Sequence, residues 1–186
     1  MAAPWHAAGQ DGWAAVKWLS YSVNVHSTRL AKQNGFTDAL LLARHHPETG
    51  SVLAGPGGEG GENASGAAGG EDGGDLAPML NMHVLDGPNF CVGWLRNGGV
   101  EFPDWQRNGL LQSTSQALAT QAAEEVLRVP VSEGVFTLRD AVDAEEMFVM
   151  SSTRGVIRVE SVGSKAMPDA GFAKELSAAM DTVCEA

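Results

Sequence analysis

A carboxylate, Asp86, directly precedes an apolar run and is followed by a glycine and a proline. The run, residues 90–95, predicts a buried strand. Asn97-Gly98 separates it from a second apolar run at residues 100–102, and Asn-Gly between two apolar runs predicts a tight hairpin. A carboxylate beside a buried strand needs a partner, because an unpaired charge away from water is costly. Asp86 is therefore a candidate binding residue, and a solvent-exposed turn carboxylate is the simpler alternative.

Lys17 is a second candidate, because it interrupts the apolar context of residues 14–21. Most lysines lie in solvent, which is the simpler interpretation. A lysine partly buried among apolar neighbours has a lowered pKa and can form a Schiff base with a carbonyl compound. Lys17 therefore has the chemistry of a covalent cofactor-binding residue.

Hydroxyl side chains mark a third place. Ser113 stands three residues before Gln116, a capping-box spacing that predicts a helix over residues 114–128. Thr114 and Ser115 would lie in its first turn, where unpaired backbone N–H groups suit a phosphate. A capped surface helix without a ligand is the simpler alternative. Thr153 adds a further hydroxyl at the end of another apolar run.

The remaining pattern alternates helices and strands, which indicates an α/β fold. The sequence predicts a helix at 22–34 ended by Gly35, strands at 38–43, 131–138, 147–150 and 156–162, a helical turn at 139–144 and a last helix that begins at Pro168.

Composition limits the function classes. The chain has 186 residues, of which 44% are hydrophobic, so it can bury a core. Its formal net charge of -11 argues against a nucleic-acid partner, which normally faces a basic patch. No apolar run is long enough to cross a bilayer, and no targeting segment is visible, so we expect a soluble protein of the cytoplasm or of a plastid or other organelle lumen.

His45 and His46 have no further ligand at metal-binding spacing, so no metal site is expected. Cys91 is interpreted as a small core residue.

Two segments are expected to lie outside the folded core. Residues 1–13 have no periodic pattern and are interpreted as a disordered lead-in. Residues 55–75 are nearly all Gly, Ala, Glu and Asp, so they are interpreted as a disordered insertion within a domain that spans residues 14–186. We expect that joining Leu53 to His83 through a short turn leaves the fold intact.

Four of these stretches, in this order, resemble a known family. They are Val16-Lys17 followed by Tyr21, then Val84-Leu85-Asp86-Gly87-Pro88-Asn89, then the helix start at residues 109–115, and finally residues 144–153 ahead of Val156-Ile157-Arg158-Val159. The chain resembles the fold-type IV pyridoxal-phosphate enzymes, which include branched-chain aminotransferases, D-amino-acid aminotransferases and aminodeoxychorismate lyases. The likeness spans residues 14–162 apart from the insertion. It implies the large domain of that fold, a mostly antiparallel, barrel-like sheet with outer helices, without the smaller N-terminal domain.

The resemblance implies a role for each candidate. Lys17 would be the Schiff-base lysine and proton shuttle, and Tyr21 would lie near the phenolic oxygen of pyridoxal 5′-phosphate. Asp86 occupies the position of a glutamate that pairs with the pyridine nitrogen. Hydroxyl groups for the phosphate would come from Thr114, Ser115 and Thr153.

This chain departs from the family at two of these places. Asp86 is one methylene shorter than the family's glutamate, and residues 113–116 stand where the family has Gly-Ile-Thr-Arg, so Gln116 replaces the arginine. The resemblance implies transfer of an amino group from an amino acid to a 2-oxo acid by a homodimer. A lyase of the aminodeoxychorismate type and a catalytically inactive structural or dimerising domain remain as alternatives.

Overall fold

The computed structural model describes residues 2–5, 22–44 and 76–185 of the chain. Lys17, Tyr21, the histidine pair and the predicted insertion at 55–75 lie outside these ranges. The described strands are β1 (Ala2–Trp5), β2 (Leu40–Ala43), β3 (His83–Val84), β4 (Cys91–Arg96), β5 (Gly99–Pro103), β6 (Val131–Gly134), β7 (Glu146–Ser151), β8 (Gly155–Arg158), β9 (Ser161–Val162) and β10 (Lys165–Ala166). The described helices are α1 (Ser22–Gln33), α2 (Thr114–Gln121), which a π-helical segment (Ala122–Leu127) extends, α3 (Leu138–Val142) and α4 (Phe172–Glu185), with a 3-10 turn at Ala77–Met79.

A five-stranded sheet in the order β6-β5-β4-β7-β8 forms the centre of the fold. All of its neighbouring strands are antiparallel except β5 and β6, which are parallel. Helices α2 and α4 pack against each other and against β7. The predicted α/β fold, with a mostly antiparallel sheet and outer helices, is therefore confirmed.

The predicted hairpin at the centre of the sheet is also confirmed. Strands β4 and β5 join at Asn97 and Gly98, with φ of 53° and 72°. Two positive φ values in a two-residue loop are the geometry that Asn-Gly favours, because it matches the twist of the flanking strands. Opposite residues Trp94 and Glu101 face each other across the hairpin, and the indole Nε1 donates to Glu101 Oε2 at 2.7 Å. Arg96 Nε donates to the same oxygen at 3.0 Å.

A second, three-stranded sheet has the order β1-β2-β3. The helix before β2 ends as predicted at Gly35, whose φ of +83° favours glycine. Strand β2 is buried as predicted. Strand β1 lies within the segment for which the sequence predicts no order, and the structure differs there at residues 2–5. Parallel pairing with β2 satisfies the backbone of β1, a long-range contact that no local pattern in residues 1–13 signals.

The two faces of the central sheet support two hydrophobic cores, because successive side chains of a strand point to opposite faces. Trp94 and Met147 are buried in one core, together with residues of β2, β3 and α3. Phe102 and Phe148 are buried in the other, where their rings pack edge to face at 6.0 Å under α2 and α4. Strands β4 and β7 are thus packed on both faces.

One predicted deletion is wrong in its extent. Leu76 is 1% exposed and Met82 is 8% exposed, and both belong to the core that contains Trp94. Joining Leu53 to His83 would remove both side chains and leave cavities in this core. A deletion that spares the fold has to end before Leu76.

Several predicted elements also differ from the structure in their bounds or in their type. The strand predicted at 131–138 ends at Gly134, because the Thr137 hydroxyl accepts from Asp140 N and the Asp140 carboxylate accepts from Thr137 N, which starts α3 at Leu138. The strand predicted at 156–162 is divided into β8 and β9. The helix predicted at 114–128 is α2 and its π-helical extension, ended by Arg128 with a φ of 60°.

The last helix begins at Phe172 rather than at Pro168, and a buried carboxylate explains the difference. Glu146, at the start of β7, is 0% exposed and accepts hydrogen bonds from Ala170 N at 2.7 Å, Phe172 N at 3.0 Å and Ala173 N at 2.7 Å. It satisfies the N–H groups that a helix start leaves without an acceptor. The cap comes from another element, so the sequence around the helix does not reveal it.

We predict that Glu146→Ala destabilises the fold by about 3 kcal/mol or more, because three N–H donors lose their acceptor, two of them in buried hydrogen bonds, and each buried loss costs about 1–3 kcal/mol. Glu146→Gln, which keeps one acceptor oxygen, should lose less. The free energy of unfolding from urea titration measures both. Glu145→Ala is the matched control, since Glu145 is exposed. Equal losses at the two glutamates would show that the cap does not stabilise α4.

Candidate active site

The register of the central sheet brings separate parts of the chain to one of its ends. Strands β4 and β7 are antiparallel, and Cys91, the first residue of β4, lies opposite Met150, near the end of β7. Residues that precede β4 and residues that follow β7 therefore leave the sheet at the same end. Asp86 and Thr153 belong to these two segments, so the fold places both at this end.

Backbone hydrogen bonds fix the position of Asp86. Leu41 N donates to the Asp86 carbonyl at 2.8 Å, and Leu85 N donates to the Leu41 carbonyl at 3.0 Å, so the segment after β3 continues beside β2. The Asp86 Oδ1 atom accepts from Gly87 N at 2.9 Å. A Cβ atom at Gly87 would lie 2.1 Å from the Phe90 ring, so a larger residue there would displace this ring. Asn24 of α1 donates to the carbonyl of the following proline, Pro88, which ties the helix to the turn.

The environment of Asp86 favours its neutral form. Burial raises the pKa of Asp86 from 3.8 to about 8, and the hydrogen bond from Gly87 N offsets only part of this increase. At neutral pH, and without a cationic partner, the carboxyl group is therefore mostly protonated. A partner that carries positive charge would restore the carboxylate, which makes Asp86 suited to pair with a protonated nitrogen.

A hydrogen-bonded chain links the start of α2 to the sheet. The Cys91 thiol donates to the Met150 carbonyl at 3.4 Å, and the Ser113 hydroxyl donates to Cys91 Sγ at 3.2 Å. The same hydroxyl accepts from Gln116 N at 3.2 Å and so caps α2. Burial and, to a smaller extent, the nearby Asp86 raise the pKa of Cys91 to about 12. Cys91 is therefore a neutral thiol that connects α2, β4 and β7, as well as the small core residue that the sequence predicts.

The start of α2 has the features of an anion site only in part. Thr114 is exposed, Ser115 is buried, and the first backbone N–H groups of a helix have no acceptor within the helix. Ser113 caps the helix as predicted, but the Gln116 side chain donates to Glu133 at 3.0 Å instead of returning to the cap. Gln116 thus fastens α2 to β6 and contributes no charge.

Thr153 lies in the turn between β7 and β8. Its hydroxyl is exposed and lies 3.4 Å from the hydroxyl of Ser151, which is the last residue of β7. The structure thus brings Asp86, the start of α2 and Thr153 to one end of the sheet. Lys17 and Tyr21 lie outside the described residues, so their predicted positions stay predictions.

The sequence did not identify two residues of this region, Cys91 and Arg154, as parts of the candidate site. Cys91 was predicted as a core residue, and only the strand register shows that it joins three elements. Arg154 follows Thr153, and its guanidinium contacts Asp38, which is 116 residues away along the chain. No local pattern signals such a contact, although a cation directly after a predicted phosphate-binding hydroxyl is a signal that was available.

A shallow pocket lies between Asp86 and α2. Its lining is mostly apolar, with a few polar groups, and consists of Leu85, Asp86, Cys91, Val92, Pro103, Trp105, Leu110, Leu111 and Gln116. Apolar walls with a few polar groups are typical of sites for small organic molecules. Among the described residues, no group of three or more His, Cys, Asp or Glu side chains is placed to hold a metal ion.

The raised pKa of Asp86 predicts a pH dependence of stability. The folded chain holds this proton more tightly than the unfolded chain, so the stability that Asp86 contributes is present below pH 3.8 and is lost as the pH rises to about 8. We expect Asp86→Asn, which stays neutral, to gain stability relative to the unmodified chain over this window. Urea titrations at pH 5 to 9 measure the difference, and a difference that does not change with pH would contradict the prediction.

Asp140→Asn is the control for that titration. Although burial alone would raise it, hydrogen bonds from Thr137 and the charge of Arg96 lower the pKa of Asp140 below 3.8. The stability from Asp140 is present above pH 3.8 and is lost only as the pH falls through the folded pKa. Its removal should therefore cost a constant amount between pH 5 and 9.

Solved structures share this fold. A fold IV transaminase of Curtobacterium pusillum superposes with a TM-score of 0.66 at 22% identity, over 94% of this chain and 47% of that one. A hypothetical aminotransferase of Mycobacterium tuberculosis in its PLP-bound form gives a TM-score of 0.70 at 18% identity, over 97% and 53%. A branched-chain amino acid aminotransferase of Thermobaculum terrenum in its PLP form gives 0.65 at 20% identity, over 91% and 45%. The chain spans about half the length of these proteins.

A search of curated protein sequences finds no match. Within the described part of the chain, every helix is too short or too polar to cross a bilayer. The profile of the amino-transferase class IV family matches residues 70–162, which is half of the 186 residues and includes Asp86, the start of α2 and Thr153. The chain belongs to the class IV aminotransferase family.

Proposed function

We propose that this chain is the cofactor-binding domain, residues 14–186, of a pyridoxal-phosphate-dependent aminotransferase. The reaction would transfer an amino group from an amino acid to a 2-oxo acid, and the active protein would be a homodimer. One observation carries the proposal: Cys91 lies opposite Met150 and accepts a hydrogen bond from Ser113. Asp86, the start of α2 and Thr153 therefore lie at one end of the sheet. Family membership and the relatives in PLP-bound form support it.

The residues at this end fit the two polar ends of pyridoxal phosphate. Asp86 would pair with the pyridine nitrogen, because a positive charge beside it would lower its raised pKa and favour the carboxylate. When bound, the cofactor supplies an electron sink for the bonds of the amino acid's α carbon. Asp86 would hold the proton on the ring nitrogen, and the apolar residues Leu85, Leu110 and Leu111 of the pocket lining would lie beside the ring.

The phosphate would lie at the start of α2. Thr114 and Ser115 offer backbone N–H groups and hydroxyls there, and Thr153 offers a third hydroxyl from the turn after β7. The family resemblance assigns the remaining roles. Lys17 would bind the cofactor covalently and move the proton at the α carbon, and Tyr21 would lie near the phenolic oxygen.

We predict that Lys17 is the lysine to which the cofactor binds. Borohydride reduction of the chain mixed with pyridoxal phosphate should fix the cofactor on Lys17, which peptide mapping detects, and Lys17→Ala should abolish the adduct. Lys32 and Lys174 are exposed, and Lys165 Nζ lies 2.9 Å from Asp143, so these lysines are internal controls. An adduct that persists at another lysine in Lys17→Ala would show that the assignment of Lys17 is wrong. No adduct at any lysine would favour the inactive structural domain instead.

We also predict that Asp86→Glu strengthens cofactor binding, because the longer side chain reaches the ring nitrogen as the family's glutamate does. A charge-assisted hydrogen bond contributes about 1.5–3 kcal/mol, so the dissociation constant should fall by roughly tenfold or more. Calorimetric titration measures the constant for each variant. Asp181→Glu, on the exposed face of α4, is the matched control. An unchanged constant in Asp86→Glu would show that the shorter acid does not limit this site.

A further inference from the structure

Arg154 occupies the turn between β7 and β8, directly after Thr153. Its Nη1 atom lies 3.5 Å from Asp38 Oδ2, and 49% of the arginine side chain is exposed. The backbone N–H of Arg154 donates to the Ser151 hydroxyl at 3.3 Å, which fixes the turn at the end of β7. The guanidinium is therefore anchored at the same end of the sheet as Asp86.

Asp38 is itself held firmly. Its Oδ1 atom accepts from Thr28 of α1 at 2.9 Å and from Ala39 N at 3.0 Å, and its side chain is 13% exposed. Ala39 leads into β2, where Leu41 is hydrogen-bonded to the backbone of Asp86. The contact with Asp38 therefore places the Arg154 guanidinium beside the segment that leads into β2, the strand that is hydrogen-bonded to Asp86.

The ion pair leaves hydrogen-bonding capacity on the arginine. Charge-assisted contacts between a guanidinium and a carboxylate are usually about 2.7–2.9 Å long and often bidentate. The contact of Arg154 is longer, and among the described residues it involves a single oxygen of Asp38. A guanidinium carries five N–H donors, so donors remain for a second anion.

The start of α2 provides no positive side chain of its own. Thr114–Gln121 includes no Lys or Arg, and Gln116, which stands where the family has arginine, is bonded to Glu133. Hydroxyls and backbone N–H groups alone would face an anion there. A guanidinium from the same end of the sheet would add a charge-assisted contact, which is worth about twice a neutral hydrogen bond.

We propose that Arg154 is a specificity-determining residue that binds an anionic oxygen group of the ligand at this site, while Asp38 keeps its guanidinium in place. The identity of the ligand rests on the function proposed above. Two anionic groups have this chemistry, the phosphate of the cofactor and the carboxylate of the amino acid substrate. The experiment separates them.

The binding arm compares pyridoxal phosphate with pyridoxal, which lacks the phosphate, by calorimetric titration of the full chain. If Arg154 binds the phosphate, Arg154→Ala should weaken the binding of pyridoxal phosphate by ~10- to 100-fold and leave the binding of pyridoxal unchanged. Arg154→Lys, which keeps the charge but not the planar fork, should recover part of the loss. Arg158→Ala is the matched control, since it removes the same charge from the same pair of strands at an arginine that pairs with Asp169 at 3.3 Å.

The kinetic arm identifies the carboxylate. If Arg154 binds the substrate instead, Arg154→Ala should leave the affinity for pyridoxal phosphate unchanged. It should then raise KM for an amino acid by ~10- to 100-fold without raising KM for the corresponding amine, which has no carboxylate. Either pattern supports the proposal, because each requires the cation and an anionic ligand group.

Three results would overturn it. The first is that Arg154→Ala changes neither arm. The second is that Arg107→Ala, which removes an exposed arginine in the turn after β5, reproduces the loss while Arg154→Ala does not. The third is that the unmodified chain binds neither compound, which overturns the proposed function as well. Borohydride mapping separates the two conclusions, since an adduct on Lys17 with no effect of Arg154→Ala leaves the function supported and rejects the role of Arg154.

Discussion

The register between β4 and β7 is the constraint on which the site depends. Cys91 opposite Met150 determines which segments leave the sheet together, and the thiol reinforces this pairing through its hydrogen bond to the Met150 carbonyl. A shift of one residue would turn every side chain of β4 to the opposite face of the sheet. Trp94 would then leave the core that it shares with Met147, so packing on both faces opposes such a shift.

Buried polar groups extend this constraint to the outer elements. Glu146 begins β7 and caps α4, so the strand that ends at the site also positions the helix that covers the second core. Arg96 bridges Glu101 and Asp140, which connects the hairpin to the capping box of α3. Each connection joins a strand of the central sheet to a helix, so displacing one element would leave a buried or half-buried donor or acceptor without its partner.

The parts of the fold that the sequence predicts are those that depend on neighbouring residues. Asn97-Gly98 specifies its turn by its own φ values, Gly35 ends α1, and Ser113 caps α2 three residues before Gln116. The errors occur where a distant group decides the outcome. The start of α4 depends on Glu146, 26 residues before Phe172, and strand β1 depends on pairing with β2.

The same distinction applies to the candidate site. The residue types at Asp86, Thr114, Ser115 and Thr153 were accessible from the sequence, because their chemistry follows from their position beside predicted strands and a helix start. The segments that carry these residues meet at one end of the sheet because Cys91 pairs with Met150, which is 59 residues away along the chain. The contact between Arg154 and Asp38 depends on a still longer separation, so the position of this guanidinium could be identified only from the structure.

The charge at the end of the central sheet that holds Asp86 differs from the net charge of the whole chain. The formal net charge is -11, which would repel an anion at long range. Burial raises the pKa of Asp86 to about 8 and that of Cys91 to about 12, which favours the uncharged form of both groups at pH 7. A phosphate would therefore meet neutral groups and the Arg154 guanidinium, with Asp38 as the nearby carboxylate. A protonated ring nitrogen beside Asp86 would favour its carboxylate, and these two opposite charges would then offset each other.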